Sequence, residues 1–485
     1  MHPIARLDQA HVWHPFTQMQ DWLRQEPIVL VSGRGTILHD LQGREYLDAN
    51  SSIWTNLHGH RNPHLDRAIR RQLGKVAHVS ALGLANEPAS RLAAELVRQA
   101  NPTRGSVPRL SKVFFSDDGS TGMEAALKLT HEYWRRTHGP RPAPRFLSLQ
   151  GAYHGDTVGA MSLGHSGPFH RPFSDLMFRS DAVMAPYCYR CPFNRAHPER
   201  QDAREYRRCG WECVGEVEQR LDRAAARGRP YAAFVYEPCL QGAAGMIPQP
   251  KGWLHRVAGL ARTAGSLLVA DEVMTAFGRV ISPDDRLRVP LHASSAEGVQ
   301  PDFVVLAKGL TGGYLPMAAT LTTGAVFEAF LGEYREFKTF FHGHSYTANP
   351  LAASAALASL ELLQTPVCRQ ARKTLSETLG RELRALWDLP AVGDIRQVGL
   401  AVGVELVRDW RRRTPFPLAE QAGIRVCQAM ARRGVLTRPI GNVIVLMPPY
   451  CTTPRQARRM VEVLHESIAE CHGSRAAAEA GRRPA

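Results

Sequence analysis

The most unusual chemical feature of this sequence is a lysine that closes a buried strand: Phe303-Val304-Val305-Leu306-Ala307 runs into Lys308-Gly309. An ammonium is costly to bury, so burial lowers its pKa and makes the amine nucleophilic. A lysine that forms a Schiff base needs that property; a snorkelling surface lysine at a strand end is the plainer alternative. Only six other lysines exist, at 75, 112, 128, 251, 338 and 373, on helices, before a strand or in polar stretches. A second apolar run, Leu267–Asp271, ends in an acid, which requires a cation or donor if buried and is otherwise a helix cap. A third segment, Ser116 to Glu124, follows a strand and opens a helix, with Gly119 and Ser120 small enough for backbone N–H groups to approach an anion. It matches neither GxxxxGK[ST] nor GxGxxG, and a plain Ser/Gly cap is its simpler reading. In the fourth, Gly151 to Asp156, Tyr153 is placed to stack on a planar ring, and His154 or Asp156 to hold water or ring substituents. An ordinary turn with a packed tyrosine is the alternative. A planar aromatic cofactor with a phosphate, an aldehyde and a basic ring nitrogen uses all four segments, and pyridoxal phosphate fits that description.

These segments need a scaffold that ends several strands at one edge. Strand-like runs fall at Val113–Ser116, Arg145–Leu149, Ala232–Glu237, Leu267–Asp271, Phe303–Ala307 and Ala318–Thr323. Helix-like segments lie between several of them: Met123–Arg136, Val214–Arg227 and Gly252–Ala264. The alternation predicts an α/β unit with a mainly parallel sheet, which binds ligands at the carboxyl ends of its strands. Before it, the first sixty or so residues read as irregular, with an extended pair at Pro27–Leu38 and Glu45–Asp48; helices follow at Pro63–Lys75 and Pro88–Gln99. After Asn349-Pro350 the chain reads as helices Leu351–Leu363 and Gln370–Leu386, then strands Gly399–Leu406 and Val443–Met447, a smaller α+β domain. The expected division is 1–65 as an N-terminal segment shared with the small domain and the site, 66–345 as the large domain, 346–472 as the small domain, and 473–485 as a frayed low-complexity tail.

Composition narrows the function. The chain has 485 residues, 44% hydrophobic and 22% charged, an ordinary soluble balance. No apolar run approaches the ~20 residues needed to span a bilayer, and the N-terminus lacks a signal-peptide core. A cytoplasmic protein with no membrane partner is expected. The net charge of +15 is spread along the chain and interleaved with acids; without aromatic interleaving it predicts no nucleic-acid surface.

The segments AYHGDTVGAMS, LLVADEVMTAFGR, LAKGLTGGYLPMAATLTT and YTANPLAASAALASLELL resemble the class III, fold type I, PLP-dependent aminotransferases over roughly Val12 to Cys451. The stretches His11–Met19, Ser51–Trp54 with His58-Gly59-His60, Phe341–Tyr346, and Thr437-Arg438-Pro439 with Leu446–Tyr450 are similar to the members acting in biotin biosynthesis. The resemblance implies a fold type I α/β architecture, a mainly parallel seven-stranded sheet in a large domain plus a smaller α+β domain. It implies ping-pong transamination of 8-amino-7-oxononanoate to 7,8-diaminononanoate, with S-adenosylmethionine or lysine as donor, on a homodimer with shared sites. Another class III ω-aminotransferase, of the ω-amino acid:pyruvate or ornithine type, is the alternative.

By the same resemblance Lys308 is the Schiff-base lysine and proton shuttle, and Asp271 the carboxylate on the pyridine nitrogen. Gly119 and Ser120 match the phosphate loop, and Tyr153 the residue stacked on the ring and touching substrate. His344 and Ser345 match positions that complete the phosphate site from the partner subunit. Arg438 is similar to the arginine that receives a substrate carboxylate, while Trp54 and Gly343 line the substrate channel. Phe16 stands where many members have a substrate-binding tyrosine, Ile53-Trp54 where some have paired tryptophans, and His344-Ser345 where some have Pro-Thr.

One motif stands outside this chemistry. Cys188-x2-Cys191 and Cys209-x3-Cys213 resemble zinc-ligand spacing. Neighbouring free thiols in an Arg-rich insertion are the plainer reading, and no metal is expected because the reaction needs none.

Overall fold

A computed structural model describes residues 1–101, 109–140, 142–281 and 288–480. Its largest sheet has seven strands: β1 (Leu110–Ser116), β2 (Phe146–Leu149), β3 (Asp181–Val183), β4 (Ala233–Tyr236), β5 (Leu267–Asp271), β6 (Phe303–Leu306) and β7 (Ala318–Thr323). Their order is β1-β7-β6-β5-β4-β2-β3. Only β7 runs antiparallel to its neighbours; the other pairings are parallel. This is the mainly parallel seven-stranded sheet of a fold type I architecture. Every residue of β2, β4, β6 and β7 is buried, as expected of strands covered on both faces.

The two faces are filled by different helices. From α1 (Gly119–His138), Met123, Ala126 and Leu127 pack with Val235, Val269 and Val305. On the opposite face, Val217 and Leu221 of α2 (Glu212–Ala226) and Trp253 and Val257 of α3 (Trp253–Thr263) pack with Phe234, Tyr236, Leu268 and Ala270. The alternation of β4 and β5 residues between the two clusters follows the period of two along a strand. A fourth helix, α4 (Pro350–Leu363), begins with the Asn349 side chain accepting from Ala352 N. Nine of its residues are buried, so it reads as apolar nearly all round.

Helix α1 starts four residues earlier than the hydrophobic pattern predicts. The Asp118 side chain accepts from Thr121 N at 2.9 Å, and Asp118 N donates to Thr121 Oγ1 at 3.0 Å. This capping box makes Gly119 and Ser120 the first helical turn. Strand β3 was not expected, since its three residues are too few to show a period.

A second, antiparallel sheet is built from Val392–Val398, Ala401–Asp409, Val443–Leu446, Pro439–Ile440 and Thr414–Pro415. The N-terminal strands Leu30–Arg34, Ile37–Asp40 and Glu45–Asp48 form a third. Its last strand pairs in parallel with Val435–Leu436, joining the start of the chain to its final third. The first sixty residues are more regular than expected: helices Pro3–His11 and Met19–Leu23 form there, capped by the His2 and Gln18 side chains. The final helix, Pro454–Ala480, runs into the low-complexity tail, whose alanines favour helix; residues 481–485 of that tail lie outside the described residues. Among the described residues no single helix is long and apolar enough to cross a membrane.

The cysteine-bearing segment between β3 and α2 contains a short 3-10 turn, Cys188–Arg190, and one helical turn, Ala203–Tyr206. Its own core is Cys188, Tyr189, Ala196, Ala203 and Tyr206. It is tied to the antiparallel sheet by ions: Glu405, buried, accepts from Arg190 Nε and Arg396 Nη1, each at 2.7 Å, and from the Tyr187 hydroxyl. Arg396 also donates to Asp394 Oδ2 at 2.7 Å.

Candidate active site

The carboxyl ends of β1, β2, β4, β5 and β6 open into one crevice of about 740 Å³. That is the edge at which parallel sheets bind ligands. Each strand delivers a chemical group there: β1 leads to Asp118, Gly119 and Ser120, β2 to Tyr153 and His154, β4 to Glu237, β5 to Asp271 and β6 to Lys308.

The acids and the imidazole form the floor. Asp271 Oδ2 accepts from His154 Nδ1 at 2.7 Å, and Asp271 Oδ1 accepts from Val273 N at 3.1 Å. Burial alone lowers the His154 pKa; the Asp271 carboxylate outweighs it and holds the imidazole above its ordinary value. His154 Nε2 is buried with no hydrogen-bond partner. Glu237 accepts from Gly242 N at 2.8 Å and Tyr153 N at 3.4 Å. Burial pushes its carboxyl up to about 7, with the nearby Asp271 adding to the rise and His154 opposing it.

Lys308 faces these acids. Burial lowers its pKa below the usual lysine value, against the opposing pull of Asp271, Glu237 and Asp118. Its backbone sits at φ +42°, a strained region for a side-chain-bearing residue and one that clusters at functional sites. The next residue must be small: a Cβ on Gly309 would lie 3.0 Å from Leu57 Cδ2. Trp54 covers the amine, with Lys308 Nζ 5.4 Å from the indole centroid. Ser51, Ser52 and Trp54 all have positive φ, and the Trp54 indole N–H donates to Asn50 Oδ1 at 2.8 Å. That strained turn fixes the ring over the crevice.

The rim at β1 is a helix start. Gly119 and Ser120 occupy the first turn of α1, where N–H groups have no intrahelical partner. Ser120 Oγ lies 2.8 Å from Thr157 Oγ1, and Thr157 Oγ1 donates to Glu124 at 2.6 Å. Gly155 has φ +121°, and a Cβ there would fall 2.2 Å from Ser120 Oγ. Only glycine lets the two loops meet. Tyr153 donates to Asp156 Oδ2 at 2.7 Å; burial, then Asp156, raises its pKa.

This donor set suits a planar ring with a basic nitrogen, an aldehyde and a phosphate. Asp271 and His154 meet the nitrogen's need for a carboxylate, Lys308 offers an amine of lowered pKa, and the start of α1 offers free N–H groups. Of the residues singled out from sequence, Lys308, Asp271, Tyr153, Gly119, Ser120 and Trp54 come together in the crevice. The others do not line it within one chain. Gly343, Ser345 and Arg438 are exposed, and Arg438 is in no ion pair among the described residues. His344 Nδ1 comes within 3.7 Å of Asp117 Oδ2, beside the crevice wall. Phe16 packs edge-on to Phe169 at 5.5 Å, and Phe169 meets Tyr153 at 6.3 Å. Glu237 was not singled out, although it ends the run Ala232–Glu237 as Asp271 ends its own.

The family model for class-III aminotransferases matches residues 19–468. The chain belongs to the class-III aminotransferases. A protein of Nitratidesulfovibrio vulgaris named adenosylmethionine-8-amino-7-oxononanoate aminotransferase is 45% identical to this class-III aminotransferase, covering 96% of this chain and 81% of that one. The solved structure of the protein of the same name from Methanocaldococcus jannaschii superposes with a TM-score of 0.86, at 36% identity, covering 97% and 99% of the two chains. An amine transaminase from an uncultivated Pseudomonas species, solved in the PLP-bound form, gives a TM-score of 0.83 at 30% identity, covering 95% and 98%.

Proposed function

We propose that this aminotransferase converts 8-amino-7-oxononanoate to 7,8-diaminononanoate in biotin biosynthesis, using pyridoxal phosphate and drawing the amine from S-adenosylmethionine or lysine. The observation that carries the reading is the 45% identity, over 96% of the chain, to a protein bearing that activity's name. The crevice supports it through a nucleophilic amine, a carboxylate–imidazole pair and an apolar indole wall. A cytoplasmic homodimer with shared sites, acting by a ping-pong cycle, completes the reading.

Pyridoxal phosphate, once bound, supplies an aldehyde that exchanges for the donor's amine and a protonated ring that takes up electron density. The residues that would hold it are Gly119 and Ser120 at the phosphate, Tyr153 against the ring, Asp271 at the ring nitrogen and Lys308 at the aldehyde. From the partner subunit, the loop of His344 and Ser345 would close the phosphate side. Asp271, oriented by its hydrogen bond from His154 Nδ1, would hold a proton on the ring nitrogen facing it. Lys308 Nζ, its pKa lowered by burial, removes the proton from the donor's amine-bearing carbon and returns one to C7 of the acceptor. Trp54 excludes water from that transfer and, with Gly343 and Phe16, borders the acceptor's apolar chain. Arg438 receives its carboxylate, for which a guanidinium fork is the geometric match.

Steady-state turnover of 8-amino-7-oxononanoate, measured with each donor in turn, tests the assignment. The expected result is saturable formation of 7,8-diaminononanoate with one donor strongly preferred. Turnover of simple ω-amino acids with pyruvate, and none of the biotin intermediate, would replace it with a general ω-aminotransferase.

A further inference from the structure

The reaction uses none of the four cysteines in the segment between β3 and α2, yet Cys188, Cys191, Cys209 and Cys213 all line one enclosed cavity of about 10 Å³. That space holds a single atom-sized occupant, and a water there needs two or more polar partners. The wall that the cavity presents is apolar, so it offers water little. Sulfur is the recurring atom around it, and sulfur favours soft cations.

Cationic and N–H groups stand around those sulfurs. Cys188 and Cys191 stand at the two ends of one 3-10 turn, where residues three apart share a face. Cys213 is in the first turn of the fifteen-residue helix α2, whose start favours an anion. Arg207 Nη1 donates to Cys209 Sγ at 3.1 Å. The indole N–H of Trp253 is wholly buried with no acceptor, and it lies beside the Cys213 thiol.

We infer that this cavity is a tetrathiolate site for one soft divalent cation of the zinc class. Both spacings, x2 and x3, fall within those of structural zinc sites. Binding breaks four S–H bonds, forms four metal–sulfur bonds and releases four protons, with no change of oxidation state. Two negative charges remain, which Arg207, the start of α2 and Trp253 Nε1–H offset. The nine cysteines are free thiols here, and among the described residues no three ligand-type side chains already stand gathered for a metal. Deprotonation and rotation of the thiols about χ1 bring them onto the common centre. The segment has reason to need the tie: its own core is five residues, and so small an irregular unit usually relies on a metal or disulfide.

Elemental mass spectrometry of the holoenzyme, purified with a thiol reductant and without chelator, tests the site. About one equivalent of zinc per chain is expected. Exchange to cobalt(II) should give the intense sulfur-to-cobalt charge-transfer bands of a four-thiolate tetrahedral centre. The double variant Cys191→Ser/Cys209→Ser should lose at least about nine-tenths of the metal, and Cys368→Ser should keep it. Wild-type protein with no bound zinc and no cobalt(II) charge-transfer band overturns the inference, as does equal metal in the double variant. The cobalt(II) spectrum of the wild type decides alone if the double variant fails to fold.

Discussion

In the crevice, buried charges meet partners delivered by the strand ends of one sheet: Asp271 from β5 meets His154 beyond β2, and Glu237 beyond β4 meets Gly242 N of the following turn. In the cysteine segment they meet partners on a different sheet: Arg190 and Tyr187 reach Glu405, which Arg396 also holds. The first arrangement leaves chemistry unspent, with a lysine of lowered pKa, an orphaned imidazole nitrogen and a carboxyl poised at about 7. The second pairs its buried charges, Arg190 and Arg396 with Glu405 and Asp394. Reactivity and anchoring are thus separately housed, so single substitutions should divide cleanly between them.

The sharpest division comes from Lys308→Ala. Loss of the amine should lower turnover by roughly 10³-fold or more, and the visible absorption of the lysine-linked cofactor should vanish. Its thermal midpoint should not fall, because a buried amine carries a desolvation cost that the variant removes. A variant that unfolded would break the comparison. On the anchoring side, Glu405→Ala leaves Arg396 and Arg190 without their shared carboxylate. Breaking a buried pair costs about 3–5 kcal/mol, read by denaturant titration, while the folded fraction should retain its turnover.

Glu237→Gln should change the pH dependence of stability. The folded-state pKa of Glu237 is raised from 4.5 to about 7, so the folded chain holds its proton more tightly than the unfolded one. Its contribution is full below about pH 4.5 and is lost as the pH rises through about 7, by up to about 3 kcal/mol. The glutamine variant should flatten that slope in thermal melts of the cofactor-free protein between pH 5 and 8. An unchanged slope would mean Glu237 is ionised throughout. The smallest effect belongs to Phe16→Tyr. The restored hydroxyl, on a ring that is 58% exposed, should lower the acceptor's KM about twofold through one partly solvated hydrogen bond; a change in kcat instead would place residue 16 at the reacting atoms.

The sequence was most legible where chemistry interrupts pattern. Lys308 and Asp271 stand out because a charge ends an apolar run, and β5 and β7 begin and end where that pattern does. Pairings across long separations were hidden. His154 and Asp271 lie 117 residues apart, and nothing in either segment announces their contact. Strand Glu45–Asp48 borrows its last neighbour from Val435–Leu436, a partnership set by the folded chain and not by local period. Glu237 carries the same signature as Asp271, yet its role depends on the backbone of Gly242 after a turn of unpredictable path. Helix α1 began early because a capping box outranked the first apolar residue. Gly343, Ser345 and Arg438, exposed in one chain, are legible only by resemblance.

The most direct measurement is a single half-reaction followed by absorbance, with the PLP-loaded protein mixed with 7,8-diaminononanoate. The expected result is loss of the visible band of the lysine-linked cofactor and gain of the pyridoxamine phosphate form in stoichiometric amount. A band unmoved by the diamine, yet bleached by a simple ω-amino acid, would contradict the biotin assignment while leaving the aminotransferase intact.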